Sequence, residues 1–314
     1  EMPLSLVGSE MCIRDSTVTA SPACLDLADL VCIQRAPEAF AQLCSQPLLH
    51  IAVTADLTQP VTLHHQGNSS PVIIDVASGV RMTLTEEYDN DCDQQQTMWL
   101  RLGTKSEVTH ARNTFNGAAL HWQFVSVQVQ ANGRYRMHNH ALASKLRRQD
   151  TQIQLIGSGA HADLNSAVMV AERLNLDQQI TIEHASAHTH SRQRVHNIVA
   201  DRGKSTFNGR IHIHEGAIKS DAQLSNKNLG LGANATINTK PELEIYTDDV
   251  SCSHGATIGQ LDNNQLFYLC SRGVAPGIAR RLLCEGFLQQ CVDGPLAEIA
   301  GPALVAPLHD MGMA

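Results

Sequence analysis

Cys252 and His254 stand two residues apart in the stretch EIYTDDVSCSHGATIGQLD, which runs from Glu244 to Asp262. A thiolate and an imidazole both suit iron or zinc. If the stretch is a strand, Val250, Cys252 and His254 share one face, because side chains alternate. A complete iron–sulfur or zinc site takes four ligands, so the pair is half a site. Asp248 and Asp249 stand close enough in sequence to orient the imidazole from behind. The plainer alternatives are a buried cysteine beside a surface histidine, and two solvated acids in a turn.

A second constellation lies in EHASAHTHSRQRVH, which starts at Glu183. The spacing admits a histidine cluster of His184, His188 and His190, with His188 and His190 on one strand face. A ladder of neutral histidines is the alternative. The helix-borne H-E-x-x-H pattern of metalloproteases is missing. So are a phosphate-binding G-x-x-x-x-G-K-[ST] loop and a G-x-S-x-G nucleophile elbow. A chain without the phosphate-binding loop is expected not to hydrolyse ATP itself.

The elements that must position these residues change character twice along the chain. From 47 to 262 short runs rich in Val, Ile, Leu and Thr alternate with polar residues at period two, as in VIIDV, VSVQVQ and TQIQLI. Such runs read as strands. Glycines at 79, 103, 133, 159, 209 and 232 mark corners at near-multiples of about 25 residues, the sign of a solenoid. Asn-Gly pairs at 116–117, 132–133 and 208–209 keep a hairpin-rich sandwich open as an alternative. Residues 263–293 carry helical spacing, with Ile278, Leu282, Phe287 and Cys291 along one broad side. Residues 17–46 read as the remnant of an N-terminal helical region. Residues 294–314, with three prolines, read as a loosely ordered tail. The run SLVGSEMCIRDS resembles a transposase sequencing adapter translated in frame, so residues 1–16 are set aside as an assembly artefact.

The 314 residues carry a formal net charge of −8. That leaves no basic excess for nucleic acid. No run approaches the roughly 18 apolar residues of a membrane span. Nine cysteines, scattered through the chain, point to a reduced cytoplasmic setting rather than a disulfide scaffold.

The segments STFNGRIHIHEGAIKSDAQLSNKNLGL and INTKPELEIYTDDVSCSHGATIGQLDNNQLFYLCSRGVAPGIARRLL closely resemble the SufB/SufD family of iron–sulfur cluster assembly proteins. GSGAHADLNSA and IEHASAHTHS agree with it. The wording SHGATIGQLD after Cys252 is similar to the SufD branch, since the SufB branch reads SHEAT there. The segment VMVAERLNLDQQ departs from the family pattern. The resemblance implies an all-β core with flanking α: a right-handed parallel β-helix, a C-terminal helical region and a truncated N-terminal helical segment. It implies a non-catalytic scaffold subunit working with a SufB-like paralogue and a SufC-like ABC-type ATPase, the latter met by the C-terminal helices. It carries Cys252 and His254 over as assembly residues at the SufB interface. A transient iron–sulfur cluster is then shared with SufB, with reduced flavin in the assembled complex and nothing tightly bound to this chain alone. A SufB-type paralogue holding the cluster on its own ligands is the first alternative. A β-helix polysaccharide-active enzyme is the second.

Overall fold

A computed structural model describes residues 48–65, 71–88, 93–115 and 120–310, together with short backbone segments at 4–7, 10–11 and 18–23. In chain order the strands are β1 (Leu4–Val7), β2 (Glu10–Met11), β3 (Val18–Ala23), β4 (Leu48–Val53), β5 (Val61–His65), β6 (Val72–Val76) and β7 (Arg81–Tyr88). They continue with β8 (Gln94–Leu102), β9 (Glu107–Thr114), β10 (Leu120–Val129), β11 (Arg134–Leu142), β12 (Leu146–Leu155) and β13 (His161–Val170). The last are β14 (Asn175–His184), β15 (His190–Ala200), β16 (Lys204–Ile213), β17 (Asp221–Leu231), β18 (Thr236–Ile245) and β19 (Ser251–Gly259). Three helices follow: α1 (Asn263–Ser271), α2 (Pro276–Gln289) and α3 (Ala297–Asp310).

From β4 onward consecutive strands alternate between two sheets, and each pairs in parallel with the strand two places on. This is a β-helix: each coil contributes one strand to each sheet, and the enclosed faces form the core. Among the described strands the antiparallel pairings lie at the beginning, β1 with β2 and β3 with β4, and the one further antiparallel contact is an isolated bridge between Ser144 and Asn175. The Asn-Gly pairs at 132–133 and 208–209 therefore mark no hairpin, and the pair at 116–117 lies outside the described residues. Val18–Ala23 form a strand where a helical remnant is expected; residues 24–47 of that segment lie outside the described residues.

Period-two patterning explains the coil. In β14 every second residue is buried: Leu176, Gln178, Ile180, Ile182 and His184. Equivalent positions stack from coil to coil, so Ile74, Leu100, Val127, Ile153, Ile182 and Ile211 form one apolar ladder through the interior. Each such side chain contributes about 1.5–3 kcal/mol by leaving water.

The corners repeat as strictly. Gly79, Lys105, Asn132, Gly159, His188 and Lys219 stand one per coil at φ between +55° and +78°. Each donates its backbone N–H to a carbonyl of the following coil, namely Thr104, Ala131, Ser158, Ala187, Ile218 and Asp249. The left-handed conformation, open to glycine and at modest cost to asparagine, aims that N–H along the solenoid axis. Gly209 is not a corner. It lies inside β16, where a Cβ would meet Leu224 Cδ1 at 2.5 Å and Phe207 Cζ at 2.6 Å. Glycine is there for close packing, and the corner before β16 is at Asp201.

The helices end the fold. The carboxylate of Asp262 caps α1 by accepting from the Asn264 N–H at 2.8 Å. Pro276 opens α2, where its missing N–H costs nothing. Both α2 and α3 lie on the outer face of the β11–β13–β15 sheet, against Ala167, Met169 and Ile198. The segment expected to be a loose tail is helix α3. Ala300, Leu304 and Leu308, spaced by four, are fully buried, and that packing outweighs Pro302 and Pro307 within it. No helix among the described residues is long and apolar enough to cross a membrane.

Asp293, between α2 and α3, pins the helices to the solenoid. Its carboxylate accepts from His138 Nδ1 at 2.7 Å and from Asn165 Nδ2 at 2.8 Å, with Arg194 at 3.7 Å. Burial works against its ionisation, but the His138 and Asn165 hydrogen bonds and the neighbouring positive charge prevail and hold its pKa below the usual carboxylate range. A carboxylate with a depressed folded-state pKa stabilises above its unfolded pKa of about 4 and loses that contribution as pH falls through the folded value. Asp293→Ala is expected to cost about 1–2 kcal/mol. Hydrogen exchange should speed up in α2 and α3 and stay unchanged in the solenoid strands, and acidification should loosen the same helices in the wild type.

Candidate functional site

Cys252 and His254 lie on β19, the last strand of its sheet. Their register partners on β17 are Ala222 and Leu224, both buried and facing the solenoid interior. The two side chains therefore share the inward face, about 6.6 Å apart along the strand. No further coil among the described residues covers them. Cys252 is part-buried and packs against the core, whereas His254 is exposed. Burial raises the Cys252 pKa, the Asp221 charge adds to it, and the hydrogen bond with the Ala222 backbone opposes it. The thiol is thus kept protonated until a cation or base draws the proton off.

The same end face is apolar around the pair. Leu243 and Ile245 end the ladder on β18, and Ile258 stands exposed on β19. Both terminal strands present one hydrogen-bonding edge with no partner among the described residues.

Asp248 and Asp249 are exposed in the final corner. Asp249 faces Lys219, with Oδ2 3.9 Å from its Nζ, and its carbonyl receives the Lys219 N–H. Backbone geometry assigns the two acids to the corner, and among the described residues no hydrogen bond or ion pair joins either carboxylate to His254.

The three upstream histidines diverge. His184 points into the core, with its ring nitrogens hydrogen-bonded to Thr189 Oγ1 and Ser191 Oγ, each at 2.8 Å. Burial, helped by the nearby His190, pushes its pKa down to about 4. His188 is the corner residue at φ +59°, so it shares no strand face with His190. His190 stacks on His161 with ring centroids 4.6 Å apart. A corner between two strands breaks the period, and the three side chains go three ways. Among the described residues no three His, Cys, Asp or Glu side chains come together as a group able to hold a metal.

Sequence spacing gave no hint of a polar cluster inside the coil. Glu86, fully buried, accepts from His110 Nε2 at 2.6 Å, Tyr88 Oη at 2.6 Å, Arg112 Nε at 2.9 Å and His65 Nε2 at 3.0 Å. Its only trace in the sequence is a carboxylate at an inward-facing strand position.

Residues 61–287 match the family described as "SUF system FeS cluster assembly, SufBD core domain". The iron–sulfur cluster assembly protein SufD of Escherichia coli (strain K12) is 30% identical over 256 residues, 79% of this chain and 59% of that protein. An iron–sulfur cluster assembly SufBD family protein of Synechocystis is 32% identical over 244 residues, 73% of this chain and 54% of that protein. SufD of Bacillus subtilis (strain 168) is 32% identical over 139 residues, 44% of this chain and 32% of that protein. The chain spans about half the length of the curated relatives it matches. The match begins at β5 and ends within α2, so it takes in nearly the whole solenoid and the strand that carries Cys252 and His254: the chain belongs to the SufB/SufD family, as a SufD-type member.

Proposed function

We propose that this chain is a non-catalytic scaffold subunit for iron–sulfur cluster assembly, and that Cys252 and His254 form half of a site completed by a SufB-type subunit. The nascent cluster is cargo passed through that site. One observation carries the reading: the two ligands lie on the inward face of the last coil, where a second solenoid docked end to end would cover them. The apolar rim of Leu243, Ile245 and Ile258 and the two unpaired strand edges suit such a partner, since exposed edges invite strand addition. Among the described residues no third His, Cys, Asp or Glu joins the pair in a group able to hold a metal, which favours a shared site over a cluster held by this chain alone.

The partner ATPase of a SufC type is assigned to the helical end. Phe267 and Tyr268 on α1 are 73% and 57% exposed, and Ile278 and Leu282 on α2 are also exposed. Large apolar side chains grouped on short helices mark an interaction surface. The double variant Phe267→Ala, Tyr268→Ala should change stability by no more than about 0.5 kcal/mol, since neither ring is buried. Its capture of a SufC-type ATPase should fall at least about tenfold, the effect of about 1.4 kcal/mol at a hot spot. Unchanged capture would move the ATPase contact off α1. Removing all three helices is a poorer test, because it would strip the cover from Met169 and Ile198.

A further inference from the structure

Inside the solenoid one position on each sheet repeats as a cross-core pair. Asn139 Nδ2 donates to Gln149 Oε1 at 3.0 Å, Gln178 Nε2 to Ser166 Oγ at 3.0 Å, and Thr239 Oγ1 to Asn226 Oδ1 at 2.8 Å. Register places Arg112 directly before Asn139 in this column, and Gln123 directly before Gln149. Arg112 and Gln123 are therefore the same pair one coil earlier. Here the complementarity fails. Gln123 Oε1 already accepts from Gln149 Nε2 at 2.8 Å, which leaves its Nε2 as a donor without a partner. Arg112 gives Nε to Glu86, but its Nη1 and Nη2 have no hydrogen-bond partner. Glu86 cannot take them, since His65, His110, Tyr88 and Arg112 Nε already share its two oxygens.

Two buried donors thus occupy paired positions across the core, and the side-chain oxygen of Gln96, in register with Gln123 one coil before, accepts from neither. His121, two residues before Gln123 on the same face, is buried with neither ring nitrogen partnered. At least one of those nitrogens carries a proton in either tautomer. Its register neighbour Arg147 is a second fully buried guanidinium. Unsatisfied donors of this kind each cost about 1–3 kcal/mol, and a buried cation attracts a counter-charge.

We propose that Arg112, Gln123 and His121 form an internal binding site for a small inorganic anion. The anion accepts from Arg112 Nη1 and Nη2, from Gln123 Nε2 and from one His121 nitrogen. The site lies coils away from Cys252 and His254 and does not depend on their role.

Bromide is the probe. Crystals of the full chain grown in sodium bromide should show an anomalous peak within hydrogen-bonding distance of Arg112 Nη and Gln123 Nε2. The melting temperature should be about 2–4 °C higher in bromide than in gluconate at equal ionic strength, the shift expected for about 1 kcal/mol of linked binding. Gln123→Met keeps the volume and the Glu86–Arg112 pair while removing one donor of the site together with the acceptor of Gln149 Nε2, and it should abolish the difference. A water molecule in place of the peak, or a salt-specific difference that Gln123→Met retains, overturns the proposal.

Discussion

Glu86→Leu is expected to lower the unfolding free energy by about 3–5 kcal/mol, the usual result of breaking a buried ion pair from one side. The loss comes from what is left behind. Arg112 keeps its charge in a site 1% exposed to solvent, and His110, Tyr88 and His65 each lose an acceptor. Burial opposes ionisation of Glu86, but the charge of Arg112 and the hydrogen bonds from His110 and His65 prevail, so its pKa is held well below the ordinary carboxylate range. The pair's contribution is therefore full at neutral pH and disappears only in strong acid. Removing both charges as Glu86→Leu, Arg112→Leu should recover much of the loss, because paired buried charges are often no better than well-packed apolar groups. Denaturant unfolding of the single and double variants separates the two. Equal destabilisation in both would mean that packing, not the orphaned guanidinium, sets the cost.

How far the sequence foretells this molecule depends on the element. Strands such as β12 and β14 alternate so regularly that their inward faces are legible residue by residue. The parallel order was not, because a period of two fits a hairpin as well as a coil. His188 illustrates the limit: a backbone corner is invisible in composition, and one left-handed residue separates two histidines that spacing would place together. Gly209 shows the reverse case. A strand-interior glycine kept for close packing against Leu224 and Phe207 looks like punctuation until the neighbours are known. In α3 the prolines drew attention from Ala300, Leu304 and Leu308, whose spacing of four was the better signal. The Cys252–His254 pair was legible as a shared face. That this face is the uncovered end of a solenoid depends on the order of stacking, which no local pattern contains.

That position leads to the second large effect. His254→Ala should leave folding nearly unchanged, since the exposed ring leaves no core cavity. Cys252→Ser should cost little more, because Cys252 is only part-buried. Both should form the complex with a SufB-type partner and the ATPase, yet neither should support cluster assembly at the wild-type level. A hydroxyl is a poor substitute for thiolate at iron, and alanine offers no nitrogen. A structural role would give the opposite result, with melting temperature and complex yield falling together and cluster content per complex unchanged.

The most direct test is iron and acid-labile sulfide measured on three preparations after reconstitution: this chain alone, its complex with a SufB-type partner, and the same complex carrying Cys252→Ser and His254→Ala. A site completed across the end face predicts little iron on the chain alone, a cluster on the wild-type complex, and its loss from the variant complex at equal protein recovery. Stoichiometric iron and sulfide on the isolated chain, or an undiminished cluster on the variant complex, would contradict it.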